Sequence, residues 1–205
     1  FYEASEFSEM TNYRAKLDAT GGLYLVGHAK IKPYFRETSI DTFYDYYIET
    51  LTEPNDTLVV NKKIEIAGVP GRELEFRNSE NEIIQRMRIL VDNDNMFLLQ
   101  SYLGEEELAQ QTHQTFFSSF EIKKGKQYFD ITAPKGKKIL KDIVSSDSLK
   151  SAAAVEALTY YTFEKKDLSS LLEMLSEDLK NDTLTYGTKN SIIESIASIA
   201  DKKAV

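Results

Sequence analysis

The sequence predicts an α+β protein in which an antiparallel sheet flanked by helices is followed by an all-helical segment. Alternating apolar residues and tight turns dominate residues 13–122, whereas Ala, Leu, Ile and Ser recur at helical spacing in residues 123–205. The net charge also changes, from −10 over residues 1–122 to +2 over residues 123–205. We therefore predict a leader or linker at 1–12, an α/β sandwich at 13–122 and a helical segment at 123–205.

Composition limits the classes of protein that the chain can belong to. With 41% hydrophobic residues in 205, it has enough apolar material for a core. The absence of cysteine excludes disulfides, thiolate zinc sites and a cysteine nucleophile. Apolar runs such as Met96–Leu99 are far shorter than the ~20 residues of a membrane span, so we expect membrane association only through a segment that is not present. Because the chain begins at Phe1, we expect a trimmed or mature piece.

Two strands and a helix are predicted first. Residues 13–32 alternate in polarity around Gly21-Gly22, a pair that permits the positive φ of a tight turn. The run Thr38-Ser39-Ile40-Asp41 fits a capping box with Thr38 as the N-cap. The helix that follows has one apolar stripe, which we expect to lie in the core: Ile40, Phe43, Tyr44, Tyr47, Ile48 and Leu51.

Four strands and one helix complete this part of the prediction. A turn is expected at Gly68-Val69-Pro70-Gly71, and polar runs separate the later strands. Connections this short make consecutive strands antiparallel. One helix, about Glu105 to Phe120, is expected to end the sheet region. The predicted strands are Thr57–Ala67, Arg72–Arg77, Glu82–Val91 and Met96–Leu103.

The order of these elements carries a family resemblance. Together with the run Gly68 to Glu73, the run Arg86 to Val91 and the ending Phe116 to Phe120, it resembles the domain of the photosystem II extrinsic protein PsbP and its bacterial relatives, over about residues 13–122. The resemblance implies an α/β/α sandwich, an exported and therefore extracytoplasmic protein, and a binding or assembly module without catalysis. It does not extend to photosynthesis, because no manganese, calcium or chloride residue set can be matched.

Four helices are predicted in the last part of the chain. Pro134 suits the start of the first, and Asp167 is expected to cap the third. Two successive helix pairs resemble HEAT-type repeats, and a stack of only two pairs leads us to expect a fragment of a longer protein. The predicted helices are Lys135–Val144, Ser148–Tyr160, Leu168–Leu179 and Thr188–Ala200.

The sequence offers little for catalysis. We expect His28 and His113 to be structural, at the surface or half-buried, since neither has a carboxylate at a metal-ligand spacing. Nucleophile elbows, phosphate loops and dinucleotide fingerprints are absent from the sequence. We therefore predict no catalytic residue, no metal, no cofactor and no enzyme. One charged pattern, expected to form cross-strand ion pairs of ~0.2–1 kcal/mol each without a function, consists of Glu73, Glu75, Arg77, Arg86 and Arg88.

A lysine-rich connector is the predicted interaction surface. Residues 123–141 hold seven lysines and one acid, but no arginine for bidentate contacts, so nucleic acid is not the expected partner. A solvated linker that docks beside the acidic sheet region explains the same charge. The candidate residues are Lys123, Lys124, Lys126, Lys135, Lys137, Lys138, Tyr160 and Tyr161.

Three functions stay open at this point. The first is a non-enzymatic binding or scaffold module with a protein partner. The second is a small-ligand-binding protein or hydrolase with a cleft at the domain junction, which would use Tyr160, Tyr161 and the lysines near 123–126. The third is binding of anionic lipid or nucleic acid by the connector, which predicts a steep dependence on salt.

Overall fold

A computed structural model describes residues 7–17, 21–123, 129–179, 182 and 187–201. Residues 200 and 201 are described without their side chains. The described residues divide into two compact units. The sheet unit comprises those of Phe1–Lys32 and Glu37–Ile131, and the helical unit comprises those of Pro33–Arg36 and Thr132–Val205. The predicted fold class, an antiparallel sheet with flanking helices and a separate helical segment, is confirmed.

In the part of the sheet unit that the structure describes, six strands form one sheet in the order β1-β2-β6-β5-β4-β3. All neighbouring strands are antiparallel, as predicted from their short connections. The edge strands β1 and β3 carry mostly exposed side chains, whereas the central strands are largely buried. The strands are β1 (Phe7–Lys16), β2 (Leu23–Ile31), β3 (Asp56–Ile66), β4 (Val69–Asn78), β5 (Ile84–Asp92) and β6 (Asn95–Leu103).

Two strand boundaries differ from the prediction. β1 begins at Phe7, six residues before Tyr13, and pairs with β2 over its whole length. The turn between β3 and β4 is Ala67-Gly68, both with positive φ, because such a two-residue turn matches the twist of the strands that it joins. Pro70 therefore lies in β4 and not in the turn. It is tolerated there because pairing of β4 with β5 begins one residue later, at Gly71.

Helix α1 (Ile40–Leu51) packs on one face of the sheet. Its N-cap is Ser39 and not Thr38, since the Ser39 hydroxyl accepts a hydrogen bond from the Thr42 N–H at 3.0 Å. The Tyr44 hydroxyl donates to the Pro70 carbonyl at 2.8 Å, which anchors the helix to β4. The predicted apolar stripe is confirmed for its four buried members, Phe43, Tyr44, Tyr47 and Ile48.

The opposite face of the sheet carries α2 (Glu105–Gln110) and α3 (Thr112–Ser118). The single helix predicted from Glu105 to Phe120 is thus wrong, because Gln111 adopts the left-handed conformation with φ 59° and breaks it. An apolar cluster on this face joins Phe117 of α3 to Val69, Leu90 and Leu99 of the sheet.

The helical unit contains α4 (Gly136–Ile143), α5 (Ser148–Ala157), α6 (Leu168–Leu175) and α7 (Thr188–Asp201), with a short 3₁₀ helix at Lys165–Asp167. Asp167 occupies the N-cap position of α6, as predicted, but its side chain accepts from the Glu164 N–H at the start of the 3₁₀ helix and not from the first turn of α6. Helix α4 packs on α5, and α6 on α7. Tyr34, from the segment Pro33–Arg36, is 2% exposed in the core of this unit.

Candidate functional site

A cleft of about 400 Å³ lies on the α3 face of the sheet unit. Its walls come from three neighbouring strands, β3, β4 and β5, and from α3. Charged residues line one part of it and apolar residues another. The lining residues used below are Val60, Glu73, Glu75, Arg86, Arg88, His113, Gln114 and Phe117.

The charged lining follows from strand periodicity and register. Every second residue of a strand faces the same side, so Glu73 and Glu75 of β4 share a face, as do Arg86 and Arg88 of β5. The register places Glu73 opposite Arg88 and Glu75 opposite Arg86. The cross-strand ion pairs predicted from the sequence are therefore confirmed.

Of the two acids that line the cleft, Glu75 has the larger number of N–H donors around its carboxylate. Its side chain is only 8% exposed. Oε2 accepts from Arg86 Nε at 2.9 Å and lies 2.8 Å from Arg86 Nη2, and Oε1 accepts from Nε and Nη2 of Arg77, both at 3.2 Å. Each oxygen thus lies against two nitrogens of one arginine, and if either arginine turned away, one oxygen of this buried carboxylate would lose its donors.

Arg88 joins the sheet to α3. Its Nε donates to Glu73 Oε2 at 2.7 Å, and its Nη2 lies 2.6 Å from the same oxygen. Its Nη1 donates to the Phe117 carbonyl at 3.2 Å, and its guanidinium carbon lies 5.0 Å from the centre of the Phe117 ring. These contacts hold the guanidinium in one orientation beside the apolar part of the cleft.

His113 is buried at the wall of the cleft, with 2% of its surface exposed. The expectation of a surface or half-buried histidine is wrong, because the break at Gln111 makes His113 the second residue of a new helix, α3. Its Nε2 lies 2.6 Å from Arg86 Nη1. Since a guanidinium can only donate, Nε2 is the acceptor and the ring proton is on Nδ1.

The charge state of His113 agrees with that arrangement. Burial, and then the positive charge of Arg86, lower the pKa of His113 below 6.5, and the Glu75 carboxylate only partly opposes them. The ring is therefore neutral at pH 7. In the described part of the chain, its Nδ1 and the Ser101 hydroxyl are buried without a hydrogen-bond partner.

The residues of the predicted lysine surface that the structure describes differ in their surroundings. Lys124 and Lys126 lie outside the described residues, and Lys123 and Lys137 are exposed. Lys135 is buried within the helical unit and donates from Nζ to the Phe35 carbonyl at 2.5 Å. Lys138 pairs with Asp142 at 2.5 Å, and its Nζ lies 4.8 Å from the centre of the Tyr34 ring.

Tyr160 and Tyr161 have structural surroundings within the helical unit. The Tyr161 hydroxyl accepts from the backbone N–H groups of Lys135 and Gly136, at 2.9 and 3.0 Å, and so completes the first turn of α4. Its ring packs edge-on against Phe163, with ring centres 4.9 Å apart. Tyr160 is half-buried, and burial raises the pKa of its hydroxyl.

Among the residues that the structure describes, none of the helices has the length and apolar composition of a membrane span. No group of three or more histidine, aspartate or glutamate side chains among these residues is placed to hold a metal ion.

Comparison with known proteins identifies similar structures. No family model matches the chain, and no curated protein matches it by sequence. The crystal structure of a protein of unknown function from Pseudomonas aeruginosa has a TM-score of 0.41 and 9% identity, with 57% of this chain and 85% of that one covered. The solution structure of cyanobacterial PsbP (CyanoP) from Synechocystis has a TM-score of 0.38 and 13% identity, with coverages of 57% and 83%.

Proposed function

We propose that the chain is a non-enzymatic binding module and that the cleft on its sheet unit is the binding site. The observation that carries this proposal is the state of the charged groups in the cleft. Arg86 is held by Glu75 and His113, and Arg88 by Glu73 and the Phe117 carbonyl, yet the described residues provide no acceptor for the remaining N–H donors of either arginine. A small molecule or an extended peptide end of matching size fits a cleft of about 400 Å³.

The same groups argue against acid–base chemistry. A general base needs a free lone pair and a pKa near the working pH. Glu75 accepts four N–H contacts, and His113 Nε2 accepts from Arg86. The groups that transfer protons in most enzymes are thus occupied in holding the arginines, which supports binding over catalysis.

Ligand screening by NMR tests this proposal. Amide spectra of the whole chain are recorded with a library of anionic, cationic and neutral compounds, and we expect at least one to shift the cleft-lining residues saturably and to stay chemically unchanged overnight. Gln114→Trp, which places a large ring at the cleft, is expected to abolish the shifts, whereas the matched change Gln110→Trp, on α2 outside the cleft, is not. Absence of any saturable shift in the cleft, or turnover of the bound compound, contradicts the proposal.

Two broader parts of the proposal depend on the sequence resemblances. We propose that the chain works outside the cytoplasm with a protein partner, and that α4 with α5 and α6 with α7 are two HEAT-like pairs. The complete open reading frame tests both parts. An export signal encoded ahead of Phe1 supports the first part, and its absence contradicts that part; further helix pairs encoded after Val205 support the second part, and their absence contradicts it.

A further inference from the structure

We propose that the ligand of the cleft carries an oxyanion, a carboxylate or a phosphate group, which binds the unused N–H donors of Arg86 and Arg88. This inference rests on the proposed function, because it names the chemical class of the molecule that the cleft takes.

The first argument is the number of donors. A guanidinium has five N–H donors and no acceptor. Arg86 uses one on Nε and one on Nη2 for Glu75, and one on Nη1 for His113. Arg88 uses the corresponding three for Glu73 and the Phe117 carbonyl. Each arginine therefore keeps one N–H on Nη1 and one on Nη2 for which the described residues provide no acceptor, and charged N–H donors of this kind bind oxyanions.

The second argument is the shortage of free acceptors. Both oxygens of Glu75 are occupied, and so is Oε2 of Glu73. Arg86 and Arg88 balance the charges of Glu73 and Glu75, and the described lining of the cleft holds no further carboxylate for their remaining N–H donors. The cleft thus has donors in excess, and a ligand that supplies acceptor oxygens complements it better than a cationic ligand does.

The third argument is preorganisation. The side chains of Arg86 and Arg88 are 33% and 25% exposed, so both reach the solvent of the cleft while their remaining N–H groups are fixed. Both arginine side chains are already ordered before an anion binds. Binding therefore avoids much of the entropic cost of fixing two long side chains. Val60 and Phe117 line the same cleft and offer an apolar surface to the carbon skeleton of the ligand.

Calorimetric titration of the whole chain tests this proposal with succinate and with inorganic phosphate as probes, and with succinamide as the neutral isostere of succinate. We expect at least one anion to bind with a dissociation constant below about 1 mM, and succinamide to bind at least about tenfold more weakly. Succinate binding without phosphate binding identifies a carboxylate site, and the reverse result identifies a phosphate site.

Three arginine variants locate the effect. Arg86→Lys and Arg88→Lys keep the charge but lose the planar fork, so each is expected to weaken anion binding by about tenfold or more. Arg14→Lys is the control, because Arg14 lies on the exposed edge strand β1 and does not line the cleft, and it should leave binding unchanged. If one variant does not fold, the other variant and the comparison with succinamide still decide the question.

The failures of the two proposals are distinguishable. If neither anion binds while a neutral or cationic compound from the NMR screen occupies the cleft, the oxyanion proposal is wrong and the proposed function stands. Equal binding of succinate and succinamide, or equal affinity in all three arginine variants, overturns the oxyanion proposal as well. If no compound of any charge binds in the cleft, both proposals are wrong.

Discussion

In the sheet unit, Arg86 and Arg88 line a cleft and keep N–H donors that no described residue accepts, whereas in the helical unit Arg36, Lys135 and Lys138 bond to acceptors within that unit. Arg36 bonds Glu164 at 2.5 Å and the Thr132 carbonyl at 3.2 Å, and Lys135 bonds the Phe35 carbonyl. The difference teaches that the density of positive charge along a sequence is a poor guide to a binding surface. A cation contributes to a binding surface only if the fold leaves its N–H donors available to a ligand.

Removing the charge of Glu75 is expected to have the largest effect. Glu75→Gln leaves Arg86 and Arg77 without their shared carboxylate in a largely buried place, so we expect a loss of about 3 kcal/mol in the free energy of unfolding. The matched variant Glu73→Gln, at a site that is 33% exposed, should lose about 1 kcal/mol or less. Urea unfolding of both variants measures the difference, and equal losses would mean that burial does not set the importance of these pairs.

The second largest loss of stability is expected on removal of the Tyr161 hydroxyl. Tyr161→Phe removes the acceptor of two buried backbone N–H groups, so we expect the helical unit to lose about 2 kcal/mol. Tyr13→Phe, at a side chain that is 66% exposed, is the control and should change nothing. Thermal unfolding followed by circular dichroism is the measurement. An unchanged transition in Tyr161→Phe would show that solvent satisfies the first turn of α4.

A dependence on pH is predicted for the sheet unit. The pKa of His113 is lower in the folded chain than the 6.5 of an unfolded one, so the unfolded state binds more protons between these two values. The stability that neutral His113 contributes is therefore fully present above pH 6.5 and is lost as the pH falls through the lowered pKa. His113→Gln should flatten this slope. Urea midpoints at about pH 7.5 and about pH 5 compare the two proteins, and a steeper slope in the variant would refute the prediction.

The smallest effect is expected at the pair of Glu164 and Arg36. Hydrogen bonds from Lys166 and Arg36 lower the pKa of Glu164 to about 2. This contribution is present above the ordinary pKa of 4.5 and is lost as the pH falls towards 2. Because Glu164 is 40% exposed, solvent screens the pair, and Glu164→Gln should cost less than about 1 kcal/mol. Adding salt should shrink the difference between wild type and variant. If the loss of stability does not depend on salt, solvent does not screen the pair and the prediction is wrong.

Much of the sheet unit could be predicted because its signals are local. The stripe from Ile40 to Leu51 determines which face of α1 is buried, and alternation together with short connections determines the antiparallel hairpins. The sequence predicts the turn at Ala67-Gly68 about two residues too late, because Pro70 and Gly71 are equally good turn residues.

The candidate site was predicted only in part. The pairing of Glu73 and Glu75 with Arg88 and Arg86 follows from strand period, so the sequence predicts it. The wall of the cleft that α3 forms depends on the helix break at Gln111. This residue has no intrinsic preference for the left-handed conformation that it adopts. Because of the break, α3 begins as a separate helix and His113 is buried. Packing of Tyr34 in the helical unit joins residues 108 positions apart, for which the sequence carries no local signal.

The most direct test of the binding cleft is NMR of the arginine side chains during a titration with succinate. Because the Nε–H groups of Arg86 and Arg88 are held by Glu75 and Glu73, we expect their signals to be visible at neutral pH and to shift saturably, with one common dissociation constant. The signals of Arg14, on the exposed edge strand β1, should not move. Shifts of equal size and slope at all three arginines would contradict a specific site in the cleft.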